Sequence, residues 1–189
     1  MLFRSPNRGL VSGFHRWANR GKVSDSAEQN QCEAPLFAVD PPTVIAPAAP
    51  GDAEWCARLM ATTEPWITLR RDLSGCRDAV VRPGTELYVA RDGGQPVGFV
   101  LVAPYGLAAS PYIASIAVAA DARSRGIGSE LLRFTERHFA GRQHLFLLVS
   151  SFNDRAQRLY RRHGYERVGE LKDYVVPGAS EIILHKWLS

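Results

Sequence analysis

Residues 113–132 read IASIAVAADARSRGIGSELL, and this stretch decides the fold. Its first residues are apolar or small, as in a buried strand, and its last residues begin an apolar repeat at helical spacing. Gly126 and Gly128 lie between these two parts, where backbone N–H groups and the positive end of a helix dipole converge and glycine lets an anion approach. Arg123 and Arg125 add positive charge. The stretch therefore predicts an anion site between a strand and a helix.

Two other phosphate-binding motifs fit this loop poorly. A Walker loop requires Gly-Lys followed by Ser or Thr, whereas no lysine occurs between Lys22 and Lys172. A dinucleotide fingerprint requires three glycines and a later acid, but this loop has two glycines and no suitable acid after the next strand. ATP hydrolysis and dinucleotide binding are disfavoured, while a plain strand-to-helix turn with solvated arginines stays open as an alternative.

Strand and helix patterns alternate around this loop from residue 43 onward, which predicts a mixed α/β domain over residues 43–189. The predicted strands cover residues 43–46, 86–91, 97–105, 112–119, 144–150, 165–171 and 180–188, and the predicted helices cover residues 52–62, 65–80, 127–139 and 153–163. Asp52 is expected to cap the first helix. The buried stripe of the third helix is expected to contain Ile127, Leu131, Thr135 and His138.

A second informative segment, residues 151–165, reads SFNDRAQRLYRRHGY. Asn153 stands where a helix N-cap or a ligand contact is expected, and Gly164 stands where a left-handed C-terminal cap is expected. Helical spacing places Ala156, Leu159, Tyr160 and His163 on one face.

Together the two segments resemble the GCN5-related N-acetyltransferase (GNAT) superfamily. The matching residues are Arg123, Gly126 and Gly128 in an Arg-x-x-Gly-x-Gly pattern, followed by Asn153, Ala156, Tyr160 and the Gly164–Tyr165 pair. The resemblance implies a central mixed, mostly antiparallel sheet with flanking helices. It also implies an enzyme that moves an acetyl group from acetyl-CoA directly to a primary amine of a small molecule, peptide or protein.

The resemblance implies a cofactor site along the end of the strand, the loop and the second segment. Backbone groups around residues 116–118 would hold the pantetheine arm, and the loop would hold the pyrophosphate. The implied cofactor-binding residues are Ile116, Ala117, Val118, Arg123, Ser124, Arg125, Gly126, Ile127, Gly128, Ser129, Asn153, Ala156 and Tyr160.

The catalytic residues follow less directly. Tyr160 matches the position of the family tyrosine and is the candidate acid for the departing thiolate, with a buried aromatic as the plain alternative. Family members often carry an acid on the strand before the loop, where this chain has Ser115. Glu86, Ser115 with water, and Asp173 remain alternatives for the base.

The acceptor side is expected to be formed by the first two helices and the last strands. Trp66, Tyr105, Tyr112 and Tyr174 offer aromatic walls, and Glu64, Asp72, Asp173 and Glu181 offer negative charge for a cationic amine. The predicted acceptor-binding residues are Trp66, Asp72, Asp173 and Tyr174, although core or surface placement is the plain interpretation of each one.

The charge distribution and the cysteine content limit the partners and the cellular compartment that the sequence allows. The net charge of +4 is concentrated in residues 1–24, which hold five basic residues and no acid, so the rest is nearly neutral and nucleic acid is a weak candidate partner. Three cysteines without close pairing favour a reducing, cytoplasmic compartment. No metal-ligand pattern and no membrane-length apolar run occurs in the sequence. Residues 1–42 are expected to be a disordered basic extension and linker, and a homodimer is compatible with the sequence.

Two other functions stay open at this stage. The absence of an acid at Ser115 allows a non-catalytic sensor that binds acyl-CoA without turnover. The basic segment of residues 1–24 allows binding to nucleic acid or to a membrane surface.

Overall fold

The computed structural model describes residues 43–188, which form a seven-stranded mixed sheet with helices on both faces. The predicted extension, residues 1–42, lies outside the described residues. In chain order, the strands are β1 (Val44–Pro47), β2 (Glu86–Asp92), β3 (Gln95–Ala103), β4 (Tyr112–Val118), β5 (His144–Ser150), β6 (Glu166–Leu171) and β7 (Glu181–Trp187). The helices are α1 (Asp52–Ala61), α2 (Leu73–Val80), α3 (Ile127–His138) and α4 (Asp154–Arg162). This architecture confirms the predicted mixed α/β class.

The strand order is β1-β2-β3-β4-β5-β7-β6, and every neighbouring pair is antiparallel except β4 and β5. A tight turn at residues 92–95 joins β2 to β3 as a hairpin. The single parallel pair requires a crossover, which α3 provides by returning over the sheet between β4 and β5. The glycine loop before α3 is therefore placed at the end of β4, in the middle of the sheet.

The helices divide the core into two layers. Helices α3 and α4 pack on one face, where the side chains of Leu131, Leu132 and Tyr160 meet apolar residues of β2 to β5 and β7. Helices α1 and α2 pack on the other face, and the strand residues in that core come from β2, β3 and β4. We call these the α3/α4 face and the α1/α2 face. On the α1/α2 face, the half of the sheet formed by β5 and β7 carries Trp187, which is 66% exposed.

Three local predictions about the helices are wrong. The segment predicted as one helix over residues 65–80 is helical only from Leu73, because Arg70 takes a left-handed φ of 54° and the Asp72 carboxylate caps the Gly75 N–H at 2.7 Å. Gly51, with φ of 92°, is the N-cap of α1 in place of Asp52. His138 is exposed at the end of α3, where it stacks on Phe134 with ring centroids 5.8 Å apart.

Asp52 instead joins α1 to the sheet. Its carboxylate accepts the Ala49 N–H at 2.7 Å, and each of its oxygens lies 2.6 Å from Nη2 of Arg91 on β2. The Asp52 side chain is only 8% exposed and that of Arg91 is 29% exposed. A carboxylate that is this buried depends on its cation, because desolvation is repaid only while the partner stays in place.

We expect Arg91→Ala to destabilise the protein by about 3 kcal/mol, since it leaves the Asp52 carboxylate buried without its cation. The measurement is urea unfolding followed by circular dichroism. Arg58→Ala is the matched control, because Arg58 pairs with Glu54 on the exposed side of the same helix and its loss is expected to leave the midpoint unchanged. Equal midpoints for both variants would show that the Asp52–Arg91 pair does not anchor α1.

Candidate active site

The parallel pair β4 and β5 separates soon after it begins. Its register contains only Tyr112 opposite Phe146 and Ile113 opposite Leu147, although both strands continue to Val118 and Ser150. The facing backbone groups beyond that point have no partner in a ladder between the two strands. We call the gap between residues 114–118 and 148–150 the β4–β5 opening. It offers hydrogen-bond donors and acceptors to a ligand that lies between the strands.

A β-bulge in β4 sets the side chains at this opening. Val102 pairs with Ile113 and Leu101 pairs with Ser115, so Ala114 is the extra residue. Register partners share a face, and Leu101 belongs to the α1/α2 core. Ser115 therefore points to the α1/α2 face, where it is 8% exposed.

The predicted anion loop follows directly after β4. Ser124 has φ of 66° and Gly126 has φ of 86°, both left-handed, and an added Cβ at Gly126 would meet nothing within 4 Å. Helix α3 begins at Ile127, and the N–H of Glu130 is bonded to the Gly126 carbonyl at 3.0 Å. Helix geometry leaves the N–H groups of residues 127–129 without an acceptor inside the helix, so they can bind an anion.

The arginines of the loop have different partners. The Arg123 Nε donates to the Val118 carbonyl at 3.2 Å, which holds the guanidinium at the end of β4. Arg125 binds the Asp92 carboxylate across the β2–β3 turn. The structure thus brings Arg123 to the mouth of the β4–β5 opening and directs Arg125 toward Asp92.

Close packing fixes the helix that carries this loop. An added Cβ at Gly128 would lie 3.3 Å from Leu159 Cδ2 of α4, and one at Gly98 of β3 would lie 2.9 Å from the Ala117 carbonyl oxygen. The same Gly98 Cβ would lie 3.3 Å from Ile127 Cγ2. Only glycine at Gly98 allows the first turn of α3 to approach β3 and β4 this closely.

Helix α4 closes the other side of the opening. The Asn153 side chain accepts the Ala156 N–H at 3.1 Å, so it is the N-cap, one of the two roles predicted for it. Gln157 Nε2 donates to the carbonyls of Ser150 and Ser151 at 3.2 and 2.9 Å, which ties α4 to the end of β5. Gly164 has the predicted left-handed φ, 80°.

Tyr160 points from α4 into the sheet. Its side chain is buried, and its ring lies edge-on to Tyr165 with centroids 5.9 Å apart. No residue among those described makes a hydrogen bond to its hydroxyl, which leaves this group free for a ligand. Burial raises the pKa of the Tyr160 hydroxyl well above its usual range, with a smaller contribution from Tyr112. The phenol therefore stays protonated at neutral pH and can donate a proton.

A buried carboxylate lies on the opposite face. Glu181, at the start of β7, pairs with Ser150 at the end of β5, and the Ser150 hydroxyl donates to Glu181 Oε1 at 2.6 Å. Both residues are buried. Burial raises the pKa of Glu181, and the Ser150 hydrogen bond partly offsets that shift. The sequence suggested Glu181 only as one of several negative charges, because its partner lies 31 positions away in the chain.

The other predicted catalytic candidates lie elsewhere. The Glu86 carboxylate accepts a hydrogen bond from the Tyr88 hydroxyl at 2.6 Å and lies 3.5 Å from His138. Glu86 is on β2, which is two strands, about 10 Å, away from β4. Asp173 accepts the Gly178 N–H at 2.6 Å inside the β6–β7 connection. The Glu86 carboxylate is therefore not brought to the β4–β5 opening, and the Asp173 carboxylate is occupied within its own turn.

The predicted acceptor-binding residues have mixed placements. Trp66 is 8% exposed within the α1/α2 core, whereas Tyr174 is 65% exposed. Asp72 is the N-cap of α2. Within residues 43–188 no group of three His, Cys, Asp or Glu side chains is placed to hold a metal, and no helix of this part is both long and apolar enough to cross a membrane.

Known proteins are similar to this chain in sequence and in fold. The model of the acetyltransferase (GNAT) family matches residues 52–165. N-alpha-acetyltransferase RimI of Mycobacterium tuberculosis is 31% identical over 155 residues, which cover 77% of this chain and 92% of that protein.

Solved structures show the same fold at lower identity. The ribosomal-protein-S18-alanine N-acetyltransferase from Escherichia coli superposes with a TM-score of 0.62 at 18% identity, covering 78% of this chain and 94% of that one. Arabidopsis thaliana NAA60 in complex with acetyl-CoA superposes with a TM-score of 0.63 at 19% identity, covering 78% and 99%.

Proposed function

The chain belongs to the GNAT family of acetyltransferases and transfers an acetyl group from acetyl-CoA to a primary amine, and from this premise we propose that its acceptor is the N-terminal α-amine of a polypeptide. The similarity to an N-alpha-acetyltransferase carries this proposal, because it extends over 92% of that protein. The exposed indole of Trp187, on the β5–β7 half of the α1/α2 face, also supports it, since an extended chain end can pack against an exposed aromatic side chain.

The residues present fit acetyl-CoA. When bound, acetyl-CoA supplies the reactive thioester. The backbone groups of residues 116–118 that face β5 suit the amide groups of the pantetheine arm, as in strand addition to a sheet edge. The N–H groups of residues 127–129 and the Arg123 guanidinium suit the pyrophosphate. The same region is lined by Ser124, Arg125, Asn153 and Ala156. Asp92 holds the Arg125 side chain, and the capping hydrogen bond to the Ala156 N–H holds the Asn153 side chain.

Tyr160 donates a proton to the sulfur as the thiolate charge develops. Its hydroxyl has no hydrogen-bond partner among residues 43–188, which supports this role because the proton is then available to a ligand, although burial raises the pKa of the phenol and makes it a weaker acid. Ser115 lies on the α1/α2 face and can hold a water, but a hydroxyl is not a base by itself. On the acceptor side, Tyr174 offers an exposed aromatic surface, and Asp173 stabilises the turn that carries it. Trp66 and Asp72 support the loop between α1 and α2.

We also propose that the enzyme works in the cytoplasm. Cys56 and Cys76 are buried and unpaired, which fits a reducing compartment. Burial raises the pKa of the Cys56 thiol to about 12, so that it is unreactive.

The test is a comparison of acceptors with the full chain and acetyl-CoA. The panel holds lysine-free peptides with free N-termini and degenerate first two residues, the same peptides with blocked N-termini and one internal lysine, a polyamine and an aminoglycoside. We expect mass spectrometry to find acetylation at the free α-amine. Acetylation confined to the lysine or to the small amines would overturn the polypeptide N-terminus as acceptor.

Cofactor binding is tested by thermal shift with acetyl-CoA, CoA and ATP in parallel. A ligand at about 100 times its dissociation constant stabilises the folded state by roughly 2.7 kcal/mol. Both CoA species are expected to raise the midpoint and ATP is not. Binding without turnover on any acceptor would instead favour a sensor.

A further inference from the structure

We propose that Glu181 is the catalytic base that takes the proton from the acceptor ammonium, and that Ser150 is the positioning residue that holds its carboxylate at the β4–β5 opening. The inference rests on the acetyl transfer described above. It assigns the base that the sequence left open among Glu86, Ser115 with water, and Asp173.

The first support is the position of the carboxylate. Ser150 is the last residue of β5, at the level where β5 has separated from β4. Glu181 is the register partner of both Ser150 and Leu171 of β6, yet its carboxylate accepts from Ser150. The side chain therefore leans over β5 toward the opening. Tyr112 lies on β4, the other strand of the opening. Burial raises the pKa of Tyr112 to about 12, and the negative charge of Glu181 is the second contribution to this shift.

The second support is the side of the sheet. Ile182 and Leu184 of β7 belong to the core of the α3/α4 face, so Glu181 points to the α1/α2 face. Tyr160 reaches the sheet from α4, on the α3/α4 face. An acid and a base thus reach the opening from its two faces, which lets one act on the sulfur and the other on the incoming amine.

The third support is the surroundings of the carboxylate. Ser150 from β5 donates a hydrogen bond to the carboxylate, and Leu171 is its register neighbour from β6. Glu181 and Tyr174, from the β6–β7 connection, both contribute to the raised pKa of Tyr112 from β4. Burial raises the pKa of Glu181 above its ordinary value, which makes its carboxylate a stronger base.

The proposed step balances as follows. The Glu181 carboxylate takes one proton from the acceptor ammonium and leaves a neutral amine. The amine nitrogen forms the bond to the acetyl carbon while the carbon–sulfur bond breaks. The nitrogen loses its second proton to water, Tyr160 gives its own proton to the sulfur, and the water passes the second proton back to Tyr160. The proton on Glu181 leaves to solvent, so each turnover releases one proton.

The test is Glu181→Gln, a near-isosteric change whose amide oxygen still accepts from Ser150. We expect kcat at pH 7 to fall by roughly 10²-fold. The loss is expected to shrink strongly at pH 9.5, because an α-amine with a pKa of about 8 is then already neutral and requires no base. Glu166→Gln, on the exposed outer strand β6, is the matched control and is expected to keep wild-type kcat at both pH values.

Ser150→Ala provides a second readout. The Ser150 hydrogen bond lowers the pKa of Glu181, so its loss raises that pKa and moves the acid limb of the kcat profile to higher pH. A purely structural role would lower the unfolding midpoint without moving this limb. Wild-type kcat for Glu181→Gln at pH 7, or an equal loss at pH 7 and 9.5, would overturn the assignment. The assays use the acceptor from the panel that is acetylated fastest, and the higher pH is set above the pKa of the amine of that acceptor, so the result does not depend on the acceptor being a peptide.

Discussion

Tyr160→Phe lowers kcat by roughly 10²- to 10³-fold and leaves acetyl-CoA affinity within about twofold of wild type. The loss is expected in turnover and not in cofactor binding, because the hydroxyl is proposed to act only as the thiolate develops. The ring, which is packed against Tyr165 and the sheet, is kept by phenylalanine. Removal of a transition-state interaction lowers kcat and kcat/KM together.

Steady-state kinetics of this variant, with acetyl-CoA binding by calorimetry, separate the two effects. Tyr165→Phe is the matched control, since it removes a neighbouring buried hydroxyl that lies beside Glu136 and away from the β4–β5 opening. It is expected to retain wild-type kcat. If Tyr160→Phe turned over as fast as this control, the phenol would not be the acid, and water would have to protonate the sulfur.

Gly98→Val is expected to destabilise the protein by about 3 kcal/mol, as much as Arg91→Ala. A Cβ at this position would lie 2.9 Å from the Ala117 carbonyl oxygen, a backbone atom that cannot move without shifting β4. The two extra methyl groups would press on Ile127 and Leu131 of α3. Because these residues set the start of α3, the substitution is also expected to weaken acetyl-CoA binding at least tenfold.

Chemical unfolding and ligand titration of this variant test both parts of the prediction. Gly141→Ala is the control, because an added Cβ there meets nothing within 4 Å and its φ is not left-handed. Its stability and acetyl-CoA affinity are expected to match wild type. A Gly98→Val protein with wild-type stability would show that β4 can shift to make room, and its affinity would then report how far the loop tolerates that shift.

The parts of the site that were predictable are local in sequence. A strand, a glycine loop with its arginines, and a helix lie within residues 113–132, so their conformation follows from turn chemistry and periodicity over a few residues. The capping role of Asn153 and the left-handed Gly164 follow from the same local rules. The family resemblance implied that the backbone around residues 116–118 holds the pantetheine arm, and the two-pair register of β4 and β5 leaves the backbone groups there that face β5 without a strand partner.

The errors arise where contacts distant in the chain override local preference. Asp52 looks like an N-cap, but Arg91 holds its carboxylate from 39 positions away. The region before Asp72 has a helical pattern, yet the chain turns at Arg70 and α2 begins only at Leu73. The relation of Glu181 to Ser150 depends on the register of β5 against β7, which periodicity does not specify. The one available signal was an acid at the start of an otherwise apolar strand.

The short register between β4 and β5 has a consequence for how the protein opens. The sheet consists of two ladders, one of β1, β2, β3 and β4 and one of β5, β7 and β6. Within each ladder the neighbouring strands are hydrogen-bonded, but only two residue pairs, between β4 and β5, join one ladder to the other. Local opening is cheapest where backbone bonding is sparse, so this seam is the weakest line across the sheet, apart from its frayed edges. A cofactor bound there would stabilise the sheet, because it would supply hydrogen bonds between the two ladders. The molecule that the enzyme consumes would then also hold the two parts of the sheet together.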